Sequence, residues 1–134
     1  NIIVTPHMKE MSRLTGIRIE EIKENPIRAA REFADQYGVV CVLKDSATVI
    51  AGRDGKTFVN GSGTPAMAKG GSGDVLTGVI AGLIALGLEE SDAASLGVYV
   101  HGLAGEKAAK RFGVHAVLAG EIADCLSEDR ENGI

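Results

Sequence analysis

Lys69-Gly70-Gly71-Ser72-Gly73-Asp74-Val75-Leu76-Thr77-Gly78 sets a flexible, donor-rich turn and one carboxylate at the start of an apolar helix. Glycine at Gly70, Gly71 and Gly73 lets backbone N–H groups approach an anion with no Cβ in the way. The unpaired N–H groups of the helix that follows face the same point. Asp74 then stands beside a bound phosphate as a candidate base. A plainer reading fits the same residues: a glycine-rich helix entry in which Asp74 is a first-turn acid favoured by the helix dipole.

Working outward, the apolar positions predict alternating strands and helices. Residues 2–4 read as a short buried strand stopped by Thr5-Pro6, because proline drives the residue before it out of helical geometry. Met8, Met11 and Leu14 then fall at helical spacing up to Gly16, and Ile19 and Ile22 suggest a further helical turn. Pro26 suits the first position of a longer helix with an apolar face of Ile27, Ala30, Phe33, Ala34 and Tyr37, ended by Gly38. The apolar run 39–43 suits a strand covered on both faces, and residues 48–51 and 57–60 flank Arg53-Asp54-Gly55 as a hairpin. Helices are expected over 74–86, 91–111 and 118–126, with 127–134 polar and frayed. On the first of these, Gly78 and Gly82 lie four apart and predict a close-packing face that would hold Asp74 to small tolerance. The order of elements argues for a layered α/β fold.

The 134 residues suffice for one domain or part of one. The opening Asn1-Ile2-Ile3-Val4, a strand already under way with no initiating methionine, reads as a piece of something longer. A net charge of −4 with no basic cluster argues against nucleic-acid binding. No run of about eighteen apolar residues suggests a membrane span. Cys41 and Cys125 fit buried thiols of a reducing compartment, pointing to the cytoplasm.

Two familiar phosphate motifs fail. Gly63-Thr64-Pro65-Ala66-Met67-Ala68-Lys69-Gly70 approaches the phosphate-loop pattern, but Ala68 replaces its second glycine and Gly70 its magnesium-binding Ser or Thr. Gly61-Ser62-Gly63-Thr64-Pro65-Ala66 meets a loose dinucleotide fingerprint, yet Pro65 stands where the helix should be starting. Two polar segments instead follow predicted strands, where open α/β sheets gather their ligands. Lys44-Asp45-Ser46-Ala47-Thr48 is placed to grip a nucleotide or to form a polar turn before the hairpin. Thr5-Pro6-His7-Met8-Lys9-Glu10 starts a helix on His7, whose ring could meet a ligand or serve only the helix start. His7, His101 and His115 show no metal-ligand spacing, so no metal-binding residues are assigned.

These segments resemble the carboxyl-terminal half of the ATP- or ADP-dependent NAD(P)H-hydrate dehydratases of the ribokinase-like superfamily. The resemblance rests on Val4-Thr5-Pro6-His7 with Glu10 and Leu14, on Val42-Leu43-Lys44 followed by Thr48-Val49-Ile50, and on Met67-Ala68-Lys69-Gly70-Gly71-Ser72-Gly73-Asp74-Val75-Leu76-Thr77-Gly78. It implies a three-layer α/β sandwich with a mostly parallel central sheet, of which residues 1–134 would be the carboxyl-terminal part of a single domain. It implies a cytoplasmic repair lyase that dehydrates the S epimer of hydrated NADH or NADPH while hydrolysing ADP or ATP, with Mg²⁺ screening the polyphosphate. By resemblance, His7 and Asp74 contact the hydrated nicotinamide nucleotide. Lys44, Asp45, Ser46, Ala47 and Thr48, together with Gly63 through Gly73, hold the adenine nucleotide, and Gly71, Ser72 and Gly73 form the anion hole.

Asp74 would deprotonate the ring hydroxyl for attack on the terminal phosphoryl group, making phosphate the leaving group. Asp45, Thr64, Ala66 and Lys69 stand where the family usually carries glycine, asparagine, glycine and threonine. The resemblance leaves room for a homo-oligomer and for an epimerase domain, fused or separate. Two other readings use the same residues: a ribokinase-like kinase of a small alcohol or vitamin precursor, and a nucleotide-binding segment without catalysis.

Overall fold

A computed structural model of the chain describes residues 1–64, 71–113 and 119–131, with 127–131 described through their backbone only. The contacts divide it into two compact units, one of residues 1–60 with 89–95 and the other of residues 61–88 with 96–134.

The first unit is built on a four-stranded sheet. Its elements are β1 (Ile3–Val4), α1 (Met8–Thr15), α2 (Ile19–Glu24), α3 (Pro26–Tyr37), β2 (Val40–Leu43), β3 (Thr48–Ala51) and β4 (Thr57–Asn60). The strands lie in the order β1-β2-β3-β4. The three helices carry the chain back between β1 and β2, so these pair parallel, Ile3 opposite Val40 and Val4 opposite Cys41. Short connections join the other strands, whose pairings are antiparallel.

Local chemistry sets the helix ends. Asn25 Oδ1 accepts from Arg28 N at 3.1 Å and Pro26 opens α3, while Gly16 and Gly38 close α1 and α3 in the left-handed conformation. Every residue of β2 is buried, which bears out a strand covered on both faces. Cys41, Leu43, Val49 and Ala51 join Met8, Met11, Ile22, Ala30, Phe33 and Ala34 in one core cluster. Val40, Val42 and Ile50, on the alternate face, are equally buried. Arg31 ties α3 to the hairpin, donating to Gly52 O at 2.6 Å and Lys56 O at 3.1 Å while pairing with Asp35.

Leu14, Ile27 and Tyr37 depart from the expected apolar faces, being 56%, 47% and 55% exposed. Leu14 and Tyr37 rim a groove of about 140 Å³ between the helices, and Tyr37 spends its ring on Phe33, 4.7 Å away between centroids. Periodicity put Leu14 and Tyr37 on the side that meets this groove, but the helices offer too little neighbouring surface to cover them.

The second unit is helical. It holds α4 (Ser72–Ala85), most of α5 (Glu90–Phe112) and α6 (Ala119–Glu131). Ala104 and Ala108 of α5 pack with Ile122 and Cys125 of α6, with Val75 of α4 at the cluster's margin. The helix α6 runs past the expected end at residue 126, since Ser127 through Glu131 continue its backbone rather than fraying. Gly78 and Gly82 do not form the expected close-packing face: both are exposed, and a Cβ on either would meet nothing within 4 Å. The close approaches are made from α5 instead, where a Cβ on Gly97 would come within 2.8 Å of Ile80 Cγ1.

Candidate functional site

In the first unit the polar residues gather at the carboxyl ends of the two parallel strands. Beyond β1 and β2 the pairing continues as a single parallel bridge between His7 and Lys44, and Lys44 N donates to Pro6 O at 2.9 Å. Two residues singled out separately in the sequence are thus adjacent on the backbone. His7 caps α1: its Nδ1 accepts from Glu10 N at 3.2 Å, and Glu10 Oε2 accepts from His7 N at 2.8 Å. That capping box is normally built with Ser or Thr. With Nδ1 accepting, the neutral ring carries its proton on Nε2, 3.5 Å from Glu10 Oε1 in an exposed position. The helix-start reading of His7 is borne out by this capping box, which uses Nδ1, while Nε2 lies at the surface beside Glu10.

Lys44 is half-buried and its ammonium makes no ion pair among the described residues. A cation kept partly out of water without a carboxylate partner suits an anionic ligand better than a structural role. Asp45, Ser46 and Ala47 are exposed, and Thr48 Oγ1 donates to Asp45 O at 3.4 Å, so these residues form a turn between β2 and β3.

In the second unit Gly71 is the N-cap of α4 at φ +87°, a conformation that disfavours any side chain, and a Cβ there would lie 3.2 Å from Ala119 Cβ. The first helical bond runs from Val75 N to Gly71 O at 3.1 Å. The N–H groups of Ser72, Gly73 and Asp74 precede it and have no protein acceptor among the described residues. Asp74 is exposed in this first turn, and its carboxylate makes no hydrogen bond or ion pair among the described residues. Donors of this kind, beside a glycine that keeps side chains away, fit a phosphate. The Ser72 hydroxyl points elsewhere: it is buried and pairs with His101 Nε2 at 3.4 Å. Gly63 N donates to Glu106 Oε1 at 2.9 Å.

Pro65, Ala66, Met67, Ala68, Lys69, Gly70 and His115 lie outside the described residues. Among the described residues no group of three or more His, Cys, Asp or Glu could hold a metal ion. Burial pushes the Cys41 thiol up to about 12, which leaves it inert as a nucleophile. Sequence reasoning missed Arg31, His101 and Glu106. Only His101 carried a signal, as a lone histidine within the apolar stretch Val98-Tyr99-Val100 and Leu103-Ala104.

The sequence model of the family described as NAD(P)H-hydrate dehydratase matches residues 1–128. The chain is 46% identical over 125 residues to the bifunctional NAD(P)H-hydrate repair enzyme Nnr of Moorella thermoacetica, covering 93% of this chain and 24% of that protein. It is 39% identical over 125 residues to the ADP-dependent (S)-NAD(P)H-hydrate dehydratase of Bacillus subtilis, covering 93% of this chain and 45% of that protein. It thus spans less than half the length of these curated relatives. Among solved structures, the ADP/ATP-dependent NAD(P)H-hydrate dehydratase of Bacillus subtilis co-crystallized with ATP/Mg²⁺ superposes with a TM-score of 0.93 at 38% identity, over 97% of this chain and 47% of that one. A ribokinase-like superfamily protein of Enterococcus faecalis superposes at 0.84 with 32% identity, over 97% of this chain and 44% of that one. The fold is therefore ribokinase-like, and the chain belongs to the NAD(P)H-hydrate dehydratase family.

Proposed function

We propose that the intact protein removes water from the S epimer of hydrated NADH or NADPH, restoring the reduced cofactor at the expense of ADP or ATP. The observation that carries this reading is Asp74, an exposed carboxylate in the first turn of a helix, where neither it nor the leading N–H groups have a partner among the described residues. The similarity to proteins named for this reaction, over more than nine-tenths of the chain, supports it.

Asp74 orients the hydroxyl of the hydrated ring and takes its proton. Backbone N–H groups of Gly71, Ser72 and Gly73 donate to the phosphoryl oxygens, each contributing about 3 kcal/mol where well placed. The nucleotide, when bound, supplies the phosphoryl group that makes the ring oxygen a good leaving group. His7 offers Nε2–H to the hydrated nicotinamide nucleotide. Lys44 sets its ammonium on the adenine nucleotide, with Asp45, Ser46, Ala47 and Thr48 and the segment from Gly63 to Gly70 completing the nucleotide contacts. Mg²⁺ accompanies the polyphosphate. The 134 residues form the carboxyl-terminal part of one ribokinase-like domain, in a cytoplasmic protein whose buried thiols need no oxidising compartment. A companion epimerase activity is in keeping with relatives named bifunctional.

The test supplies the intact protein with hydrated NADH and either ADP or ATP and follows recovery of the reduced-nicotinamide absorbance. Recovery is expected to need a nucleotide, and Asp74→Asn is expected to slow it by about 10²–10⁴-fold. Undiminished turnover in that variant would remove Asp74 as the base. Accumulation of a phosphorylated small alcohol in place of recovery would favour the kinase.

A further inference from the structure

We propose that α5 is the element that positions the anion site, with His101 and Glu106 as its positioning residues. Neither belongs to the glycine-rich segments, and this inference rests on those segments binding an adenine nucleotide. Two rows of the helix carry it. Gly97 and His101, four residues apart and so on one face, meet Ile80 and Ser72 of α4. On nearly the opposite side of the helix, Tyr99 O accepts from Ser62 Oγ at 3.2 Å and Glu106 Oε1 accepts from Gly63 N at 2.9 Å. Gly102 lies between them, where any Cβ would collide with Ser62.

One rigid helix therefore holds both the first residue of α4 and the segment 61–64 that leads toward the glycine run. The chemistry of the two contacts is specific. Ser72 is 5% exposed, so its hydroxyl has little water to turn to if the contact with the buried His101 is broken. Glu106 sets its carboxylate on the backbone N–H of Gly63, a charge-assisted bond that fixes that peptide plane. Glycines left to themselves would sample many conformations, and an anion hole is useful only when its donors are held in place beforehand. His101 and Glu106 supply that restraint without touching the ligand.

The intact protein is compared with Ser72→Ala, His101→Gln, His101→Leu, Glu106→Gln and Glu106→Ala. Two readouts are used: amide hydrogen exchange at Gly63 and at residues 72–75 without ligand, and the dissociation constant of ADP. Glu106→Ala is expected to speed exchange at Gly63, and Ser72→Ala or His101→Leu to speed it at the start of α4. Each should weaken ADP binding by about tenfold, a factor equal to the loss of one buried hydrogen bond. Glu106→Gln and His101→Gln, which keep an acceptor or donor of similar reach, should restore most of both. Ser72→Ala leaves no large cavity, so it keeps the His101 contact testable should His101→Leu fold poorly.

The double variant Ser72→Ala with His101→Leu should lose no more affinity than the worse single one. Normal exchange in these variants overturns the proposal, as does ADP binding unchanged in Ser72→Ala and Glu106→Ala. Altered exchange in a protein whose unmodified form does not bind ADP would instead overturn the nucleotide reading and leave the positioning role standing.

Discussion

The two units cover their apolar surface to different extents. In the first, a central strand is buried along its whole length and three short helices lie against the sheet through Met8, Met11, Ile22, Ala30, Phe33 and Ala34. In the second, the most apolar helix of the chain, α4, buries only Ser72, Leu76 and Ile80, while Gly78, Gly82 and Ile84 are exposed. The sequence predicted an apolar helix here with a close-packing face at Gly78 and Gly82. The difference teaches that apolar content states how much surface a helix could bury, whereas burial depends on which neighbours arrive.

The comparison can be broken most sharply at Leu43. It is fully buried in β2, so Leu43→Ala should cost about 3 kcal/mol in denaturant unfolding, whereas Leu86→Ala, at a position 79% exposed, should stay within about 0.5 kcal/mol. Equal losses would mean that the end of α4 is as well covered as the sheet. Next comes the link from α3 to the hairpin. Replacing Arg31 by Gln should cost about 2 kcal/mol, because Gly52 O and Lys56 O lose their charged donor, and hydrogen exchange should rise in β3 and β4 before β2.

A pair of glycines sharpens the contrast within the second unit. Gly78→Ala should raise stability by about 0.5–1 kcal/mol, since it removes backbone freedom where the new methyl meets nothing. Gly97→Ala should lower stability by about 1–2 kcal/mol through its clash with Ile80. The reverse order would restore Gly78 as a packing face. The smallest effect at neutral pH belongs to Cys41. Its thiol is raised from 9.0 to about 12 by burial, so the native state holds its proton more tightly than the unfolded chain does. Stability should be unaffected below pH 9 and should fall as pH rises from there toward 12, and alkylation at pH 8 should require unfolding.

The site was legible to different depths in the two units. Thr5-Pro6-His7 and Lys44 stood out because polar groups directly after apolar runs mark strand ends, and the structure brings the two together. Asp74 was visible because a glycine run before an apolar helix is a local pattern, and α4 starts at Ser72, two residues before its expected first position. The supporting contacts could not be read in the same way. Ser72 meets His101 across 29 residues of sequence and Gly63 meets Glu106 across 43, and no spacing rule connects residues so far apart.

The sequence by itself determined the elements and their order, since proline and glycine punctuation and apolar periodicity act over a few residues. It also determined which loops hold the candidate chemistry. Only the tertiary structure decided which apolar faces are buried, that α5 rather than Gly78 and Gly82 supplies the close packing, and that the Ser72 hydroxyl faces His101. Those outcomes depend on surfaces meeting across long loops, where the free energy comes from mutual burial and paired polar groups rather than from any local preference of the chain.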